Sequence, residues 1–224
     1  MQAREHGGLS ARLYDFTVGP LNITLKRRRL QLAPPRRGLR VLDVGCGTGT
    51  DLKLYQQAGC DVSGVDLSAA MLKAARKSLG VGADLRPGDA EKLPFPDETF
   101  DLILSTYTLH TIARARRAAV LRELARVLKP CGTLLLTDFH PPPYRFPAGW
   151  ATRGIILVLE ACAGLEHCGS GLNFVRAGGL PGLSFPRELS IRALQPAGGG
   201  AITFLLLEKG GLAGETTLRS EPAP

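Results

Sequence analysis

The chain has 224 residues, 44% of them hydrophobic and 21% charged, which is ordinary globular usage; disorder throughout is excluded, and so are two large domains. Its longest apolar run, residues 155–165, carries Glu160 and is about half of what a bilayer-spanning helix needs. The formal charge of +8 is lopsided: residues 1–40 hold nine Lys or Arg against two acids, so nearly all of the excess lies at the N-terminal end.

In chain order, residues 1–8 are polar and lack the hydrophobic centre of a signal peptide, which points to a cytoplasmic protein. Residues 13–32 predict one or two short helices. Leu21, Leu25 and Leu32 recur at helical spacing, Lys26, Arg27, Arg28 and Arg29 fall mostly on another side, and Pro34 and Pro35 stop the helix. A basic face of this kind suits an anionic partner, a membrane surface or nucleic acid.

Residues 39–49 are the stretch around which the rest is arranged. An apolar, β-branched run reaches Asp43 and Val44 and then breaks into Gly45, Gly47 and Gly49, which predicts a buried strand, a tight loop and a helix. Glycines let such a loop take positive φ and lie against a ligand, with its amides free to bond it. The spacing is not the Gly-x-Gly-x-x-Gly of a dinucleotide fingerprint, since Thr50 stands where the third glycine would fall. That disfavours a nicotinamide-dependent oxidoreductase.

Residues 51–58 predict a first helix, and residues 61–66 a second strand ending on Asp66. A carboxylate at the end of strand two can accept bonds from both hydroxyls of a ribose. Ser68 is the expected cap of a helix over residues 69–79, with Met71 on its first turn near an adenine face. A short third strand over residues 83–86 leads to Asp89 and Ala90, a carboxylate acceptor and a backbone amide donor side by side. Leu67 and Thr106 complete the expected cofactor contacts.

Residues 101–105 predict the fourth strand, and the loop after it carries Tyr107 and His110 where an acceptor would sit. His110 is the expected general base, its ordinary pKa lying close to neutrality. Residues 113–128 predict a helix and residues 134–137 a fifth strand, after which His140 is a second candidate for substrate contact. An apolar helix over residues 155–165 and two antiparallel strands around Gly198, Gly199 and Gly200 follow, with a loose tail over residues 211–224. The five cysteines are odd in number and lack Cys-x-x-Cys spacing, so reduced thiols are expected. Cys162, His167 and Cys168 cluster without a fourth ligand at sensible spacing, and no metal is expected.

The run Asp43-Val44-Gly45-Cys46-Gly47-Thr48-Gly49 resembles motif I of the class I S-adenosylmethionine (SAM) dependent methyltransferases. The stretch from Gly88 to Asp101 resembles the ubiquinone and menaquinone biosynthesis methyltransferases, and Tyr14-Asp15 resembles the N-terminal segment of those enzymes and of bacterial phospholipid N-methyltransferases. The resemblance implies a single doubly wound, mostly parallel seven-stranded sheet of Rossmann-like form over residues 37–210. Residues 1–36 would form a basic helical lid over the methyl group, with Tyr14 a candidate catalytic residue beside His110 for removing the acceptor's proton.

It further implies SAM as cofactor, held by Asp43, Gly45, Gly47, Gly49, Asp66 and Asp89, with Asp89 accepting from the adenine amino group and the Ala90 amide bonding a ring nitrogen, and methyl transfer to a small amphipathic or lipid-like acceptor, such as a phospholipid amine or a quinone. Alternatives are a soluble small molecule or RNA as acceptor, or a non-catalytic SAM-binding subunit. The low aromatic content and the lack of a separate binding module argue against nucleic acid. Two departures from the family pattern stand out: residues 105–110 differ after strand four, and Cys131 replaces the first glycine of a Lys-Pro-Gly-Gly turn.

Overall fold

The computed structural model of the protein describes residues 19–210. Tyr14, the rest of the expected lid ahead of Gly19 and the expected tail over residues 211–224 lie outside the described residues. Among the described residues the order is α1 (Gly19–Leu32), β1 (Arg40–Val44), α2 (Thr50–Gln57), β2 (Asp61–Asp66), α3 (Ala69–Leu79), β3 (Asp84–Pro87) and β4 (Phe100–Thr106). There follow α4 (Arg114–Val127), β5 (Leu128–Phe139), α5 (Ala148–Ala163), α6 (Leu165–Arg176), β6 (Leu189–Ala197) and β7 (Ile202–Lys209).

The strands form one sheet in the order β3-β2-β1-β4-β5-β7-β6. The first five run parallel, and β7 is antiparallel to both of its neighbours. The chain winds outward from β1 to β3 and then restarts at β4 on the other side of β1. The crevice beyond the carboxyl ends of β1 and β4 is therefore the switch point at which doubly wound sheets bind ligands.

Helices cover both faces, so the central strands are apolar throughout: Val41, Leu42, Val44, Ile103, Leu104, Leu134 and Leu136 are buried. At the edge, β6 alternates instead, leaving Ile191 and Leu194 exposed and tolerating Pro196. Segment 93–97 is pinned to α4 by Arg126, which donates to the carbonyls of Leu93 and Phe95, while Glu123 accepts from the Leu93 amide at 2.8 Å.

Three expectations need correction. The basic run on α1 is not wholly a solvated face: Arg29 is buried, because Asp51 on α2 draws it inward at 2.9 Å. The apolar helix expected over residues 155–165 starts earlier, at Ala148, and ends at Ala163, because Gly164, with φ of 127°, breaks the helical path before α6 begins at Leu165. The fifth strand begins at Leu128 rather than Leu134, directly after α4, and residues 129–132 bulge between the pairs Phe100–Leu128 and Leu102–Thr133. Within that bulge Cys131 adopts φ of 59°, the left-handed geometry for which the related turn uses glycine.

Candidate cofactor and acceptor site

The crevice is assembled from the ends of four strands. β1 delivers Asp43 and the glycine loop, β2 delivers Asp66, the turn after β3 delivers Asp89, and β4 delivers Thr106 and the 3-10 turn at Leu109–Thr111 that carries His110. The three loop glycines answer to different neighbours. A Cβ on Gly45 would lie 2.2 Å from Oγ1 of Thr108, so the loop after β4 can close onto this loop only if residue 45 is glycine. One on Gly49 would meet Leu79 and Ala75, which sets how closely α3 approaches. At Gly47 a Cβ would meet nothing within 4 Å, so this backbone faces open space, where a ligand can come against it.

The loop amides, however, are not free as expected. Those of Gly45 and Cys46 donate to the Val65 carbonyl, that of Gly49 to the Cys46 carbonyl, and that of Gly47 to Asp66 Oδ2 at 2.8 Å. Neighbouring strand and helix ends supply acceptors that a sequence pattern does not display. What the loop offers a ligand is proximity and shape more than donors.

Asp66 accepts a second amide, that of Ser68, through Oδ1 at 2.8 Å, and Ser68 caps α3 as expected by accepting from the Met71 amide. Each carboxylate oxygen keeps a lone pair for a hydroxyl donor. Leu67 beside it is 68% exposed, an apolar side chain at the crevice rim. Asp89 is half-exposed; it accepts from the Glu91 amide and pairs with Arg116 at 2.5 Å, and together these hold its carboxyl below the usual range. Arg116 also pairs with Glu91. The backbone of Ala90 lies between the two acids that this guanidinium holds.

Asp43 is 3% exposed, and its Oδ1 has no partner among the described residues. Burial, reinforced by Asp51 and only partly opposed by Arg29, pushes its pKa well up. An unpaired acceptor among acids is costly in the empty protein and favours a cationic ligand. The residues thus fit SAM, which carries a sulfonium and an ammonium group beside an adenosine. Thr106 adds a hydroxyl at the same edge, donated to Asp51 Oδ2 at 3.3 Å.

On the acceptor side, His110 is 2% exposed and stacks on Phe139 with ring centroids 4.3 Å apart. Its Nδ1 lies 2.8 Å from Asp138 Oδ1, its backbone amide donates to Asp138 Oδ2, and Nε2 faces Glu160 Oε1 at 3.4 Å. Burial opposes a charge on the ring, but Asp138 and then Glu160 outweigh it and push the pKa up to about 9. Such a ring keeps its proton at neutral pH. The general-base role expected from sequence does not suit it, because two carboxylates on distant elements stabilise the imidazolium.

His140 pairs with Thr203 Oγ1 at 2.6 Å, which occupies one of its nitrogens, and burial lowers its pKa. Sequence reasoning missed Arg29, Thr108, Arg116 and Asp138 as contributors. Only Asp138, leaving β5 at the ligand edge, carried a positional signal.

A doubly wound sheet with a glycine loop after β1 and acids closing β1 and β2 defines a nucleotide-binding protein of Rossmann-like form. Residues 42–136 match the Methyltransf_11 family, described as a methyltransferase domain. The chain is 36% identical over 196 residues to the malonyl-[acyl-carrier protein] O-methyltransferase of Erwinia pyrifoliae, covering 85% of this chain and 73% of that protein. It is 42% identical over 137 residues to the ubiquinone/menaquinone biosynthesis C-methyltransferase of Azotobacter vinelandii, covering 57% of this chain and 53% of that one. A third relative, the phosphatidylethanolamine N-methyltransferase of Cereibacter sphaeroides, is 37% identical over 131 residues, covering 56% of this chain and 63% of that one.

The chain spans about half the length of the first curated relatives it matches, 53% and 56%. Among solved structures, a SAM-dependent methyltransferase from Mesorhizobium loti superposes with a TM-score of 0.58 at 19% identity, covering 86% of this chain and 100% of that one, a likeness of fold. The chain belongs to the class I SAM-dependent methyltransferase family.

Proposed function

We propose that the protein transfers the methyl group of SAM to a small acceptor with a lipid-like part. The observation that carries the SAM reading is the buried, unpaired Asp43 Oδ1, in line with Asp66 and Asp89 along one edge of the sheet. When bound, SAM supplies a methyl group already activated on a sulfonium, so the protein's task is to bind, orient and exclude water. Asp66 takes the ribose hydroxyls on its remaining lone pairs, Leu67 and Met71 flank the adenine, and Asp89 with the Ala90 amide reads the adenine edge. Gly45, Gly47 and Gly49 shape the surface beneath the amino-acid portion, while Asp43 and Thr106 bound it.

Two features support a lipid-like acceptor. Relatives are named for ubiquinone/menaquinone biosynthesis and for phosphatidylethanolamine, and Phe146, Trp150, Ile155 and Val158, on and just before α5, are exposed on the segment that follows β5. No helix among the described residues is long and apolar enough to cross a membrane. A second reading, methylation of a carboxyl group presented on a carrier protein, draws support from the 85% of the chain that aligns with the malonyl-[acyl-carrier protein] enzyme.

The test is calorimetric titration with SAM and S-adenosylhomocysteine, followed by labelled-methyl transfer to a lipid extract, a soluble metabolite extract and an acylated carrier protein. Label in the lipid fraction is expected. Label confined to the carrier or the soluble fraction overturns the lipid acceptor. Binding without any label favours a non-catalytic subunit, and absence of binding overturns the whole reading.

A further inference from the structure

Beyond that reading, we propose that His110, Glu160 and His167 form a binding site for a divalent transition metal of the zinc type. His110 comes from the turn after β4, Glu160 from α5 and His167 from α6, and their ligating atoms all lie within 4.8 Å of one another. Sequence spacing cannot show this set, because about fifty residues separate His110 from the other two. Around His167 the cysteines Cys162 and Cys168 stand out in the sequence, whereas the fold brings the carboxylate of Glu160 to that imidazole.

The distances carry the argument. His110 Nε2 to Glu160 Oε1 is 3.4 Å, and His167 Nε2 to Glu160 Oε1 is 3.3 Å. Charge-assisted N–H···O bonds between such groups close to about 2.7–2.9 Å. Two separations this long around one oxygen are poor as hydrogen bonds. They do match the edge of a tetrahedron whose bonds are about 2.0–2.1 Å, which works out at roughly 3.3–3.4 Å.

The surroundings agree. His110 Nε2 and Glu160 Oε2 are buried and without a hydrogen-bond partner among the described residues, although His110 is 98% buried. Such orphaned atoms are expensive unless something comes to them. Asp138 bonds the other nitrogen of His110 at 2.8 Å, the carboxylate–histidine arrangement that fixes the tautomer and aims Nε2 at a metal, which on binding displaces the proton that Nε2 otherwise keeps. The two imidazoles meet edge to face at 5.4 Å, so both can present nitrogens to one point without stacking. Gly171 keeps the space open, since a Cβ there would lie 2.6 Å from Glu160 Oε2. His167 is about one-third exposed and provides the route of entry from solvent.

Two nitrogens and one oxygen suit zinc or cobalt(II) better than calcium or magnesium, which prefer all-oxygen sites. Three protein ligands leave one tetrahedral position for a water molecule or an oxygen of a bound small molecule. The cluster joins the β4 turn to the α5–α6 cap, so metal binding there also fixes the cap to the sheet.

The full chain, stripped with a chelator and dialysed, is titrated with cobalt(II) while visible d–d absorption is recorded, and with zinc in a calorimeter. One equivalent is expected to bind with the intense d–d bands of a tetrahedral centre and to raise the thermal midpoint. His167→Ala should abolish uptake with little effect on the circular dichroism spectrum, because its ring is only partly buried. Glu160→Gln, similar in volume, should weaken binding at least tenfold. Absence of stoichiometric uptake overturns the proposal. Uptake that survives both substitutions, or that brings a thiolate-to-cobalt charge-transfer band, also overturns it by placing the ion elsewhere.

Discussion

Arg29 on α1 and Asp51 on the first turn of α2 form a buried ion pair at 2.9 Å, and Thr106 at the end of β4 donates to the other oxygen of the same carboxylate at 3.3 Å. One acid thus fastens the segment ahead of the sheet to the glycine-loop helix and to the strand across the crevice. Tyr55 supports the junction by donating to the Ala33 carbonyl at 2.8 Å. Removing one member leaves an uncompensated buried charge, so Arg29→Ala should cost about 3–5 kcal/mol in urea denaturation. Replacing both members by apolar residues of similar volume, Arg29→Met with Asp51→Leu, should restore most of that stability. If the double variant is no more stable than the single one, the loss lies in α1 packing and not in the stranded carboxylate.

Asp43 shows the opposite balance, a residue that weakens the empty protein. Its folded pKa is raised, so its favourable contribution is complete below the unfolded carboxylate pKa and disappears as pH rises through the folded value. At neutral pH the ionised form is therefore a liability until a cation arrives. Asp43→Asn should raise stability at pH 7 and flatten its pH dependence above pH 4, while weakening SAM binding more than tenfold, about 1.5–3 kcal/mol. Urea denaturation across pH, with calorimetry at pH 7, checks both halves. A loss of stability at pH 7 would mean that the carboxylate is satisfied in the folded state after all.

The sheet was legible because its signals are local. The apolar run ending at Gly45 and the acids that follow the next two short strands, Asp66 and Asp89, marked strand ends, and chain order with the glycine loop implied the switch point. The partners of those residues were not legible, since each pairing spans a distance that no pattern encodes. Arg29 reads in the sequence as one more member of a basic face, whereas in the fold it turns inward onto Asp51. His110 looked like a base poised near neutrality until Asp138 and Glu160 were found on either side. His167 was read with its sequence neighbours Cys162 and Cys168, when the carboxylate that matters lies a helical turn or two earlier in the chain and across a break at Gly164. The Cys162 side chain itself lies outside the described residues.

Asp89 and Arg116 allow a test of which charge faces the cofactor. The pair is solvent-exposed, so its own contribution to stability is small. If Asp89 accepts from the adenine amino group, Asp89→Ala should weaken SAM binding about tenfold or more. Arg116→Ala should change it less than about fivefold, because the Glu91 amide still orients the carboxylate. Equal losses in the two variants would instead assign the adenine contact to the guanidinium.

The turn that opens β5 offers a prediction about stability alone. Cys131 is exposed and holds φ of 59°, where a side chain costs about 1–2 kcal/mol relative to glycine. Glycine there would be free of that strain but would gain freedom in the unfolded chain, a loss of roughly 0.5–1 kcal/mol. Cys131→Gly should therefore stabilise the protein by up to about 1 kcal/mol. Cys131→Ala keeps the Cβ and the strain, and should gain nothing. SAM affinity should be equal in both variants and the parent, because this turn precedes the body of β5 while the cofactor crevice lies beyond the strand's other end. The neighbouring Gly132 has no such latitude: a Cβ there would meet Leu128 at 2.7 Å and the Lys129 carbonyl at 2.8 Å. Gly132→Ala should be destabilising where Cys131→Gly is stabilising, and thermal midpoints of the three variants measured side by side would show whether left-handed strain or backbone crowding governs this turn.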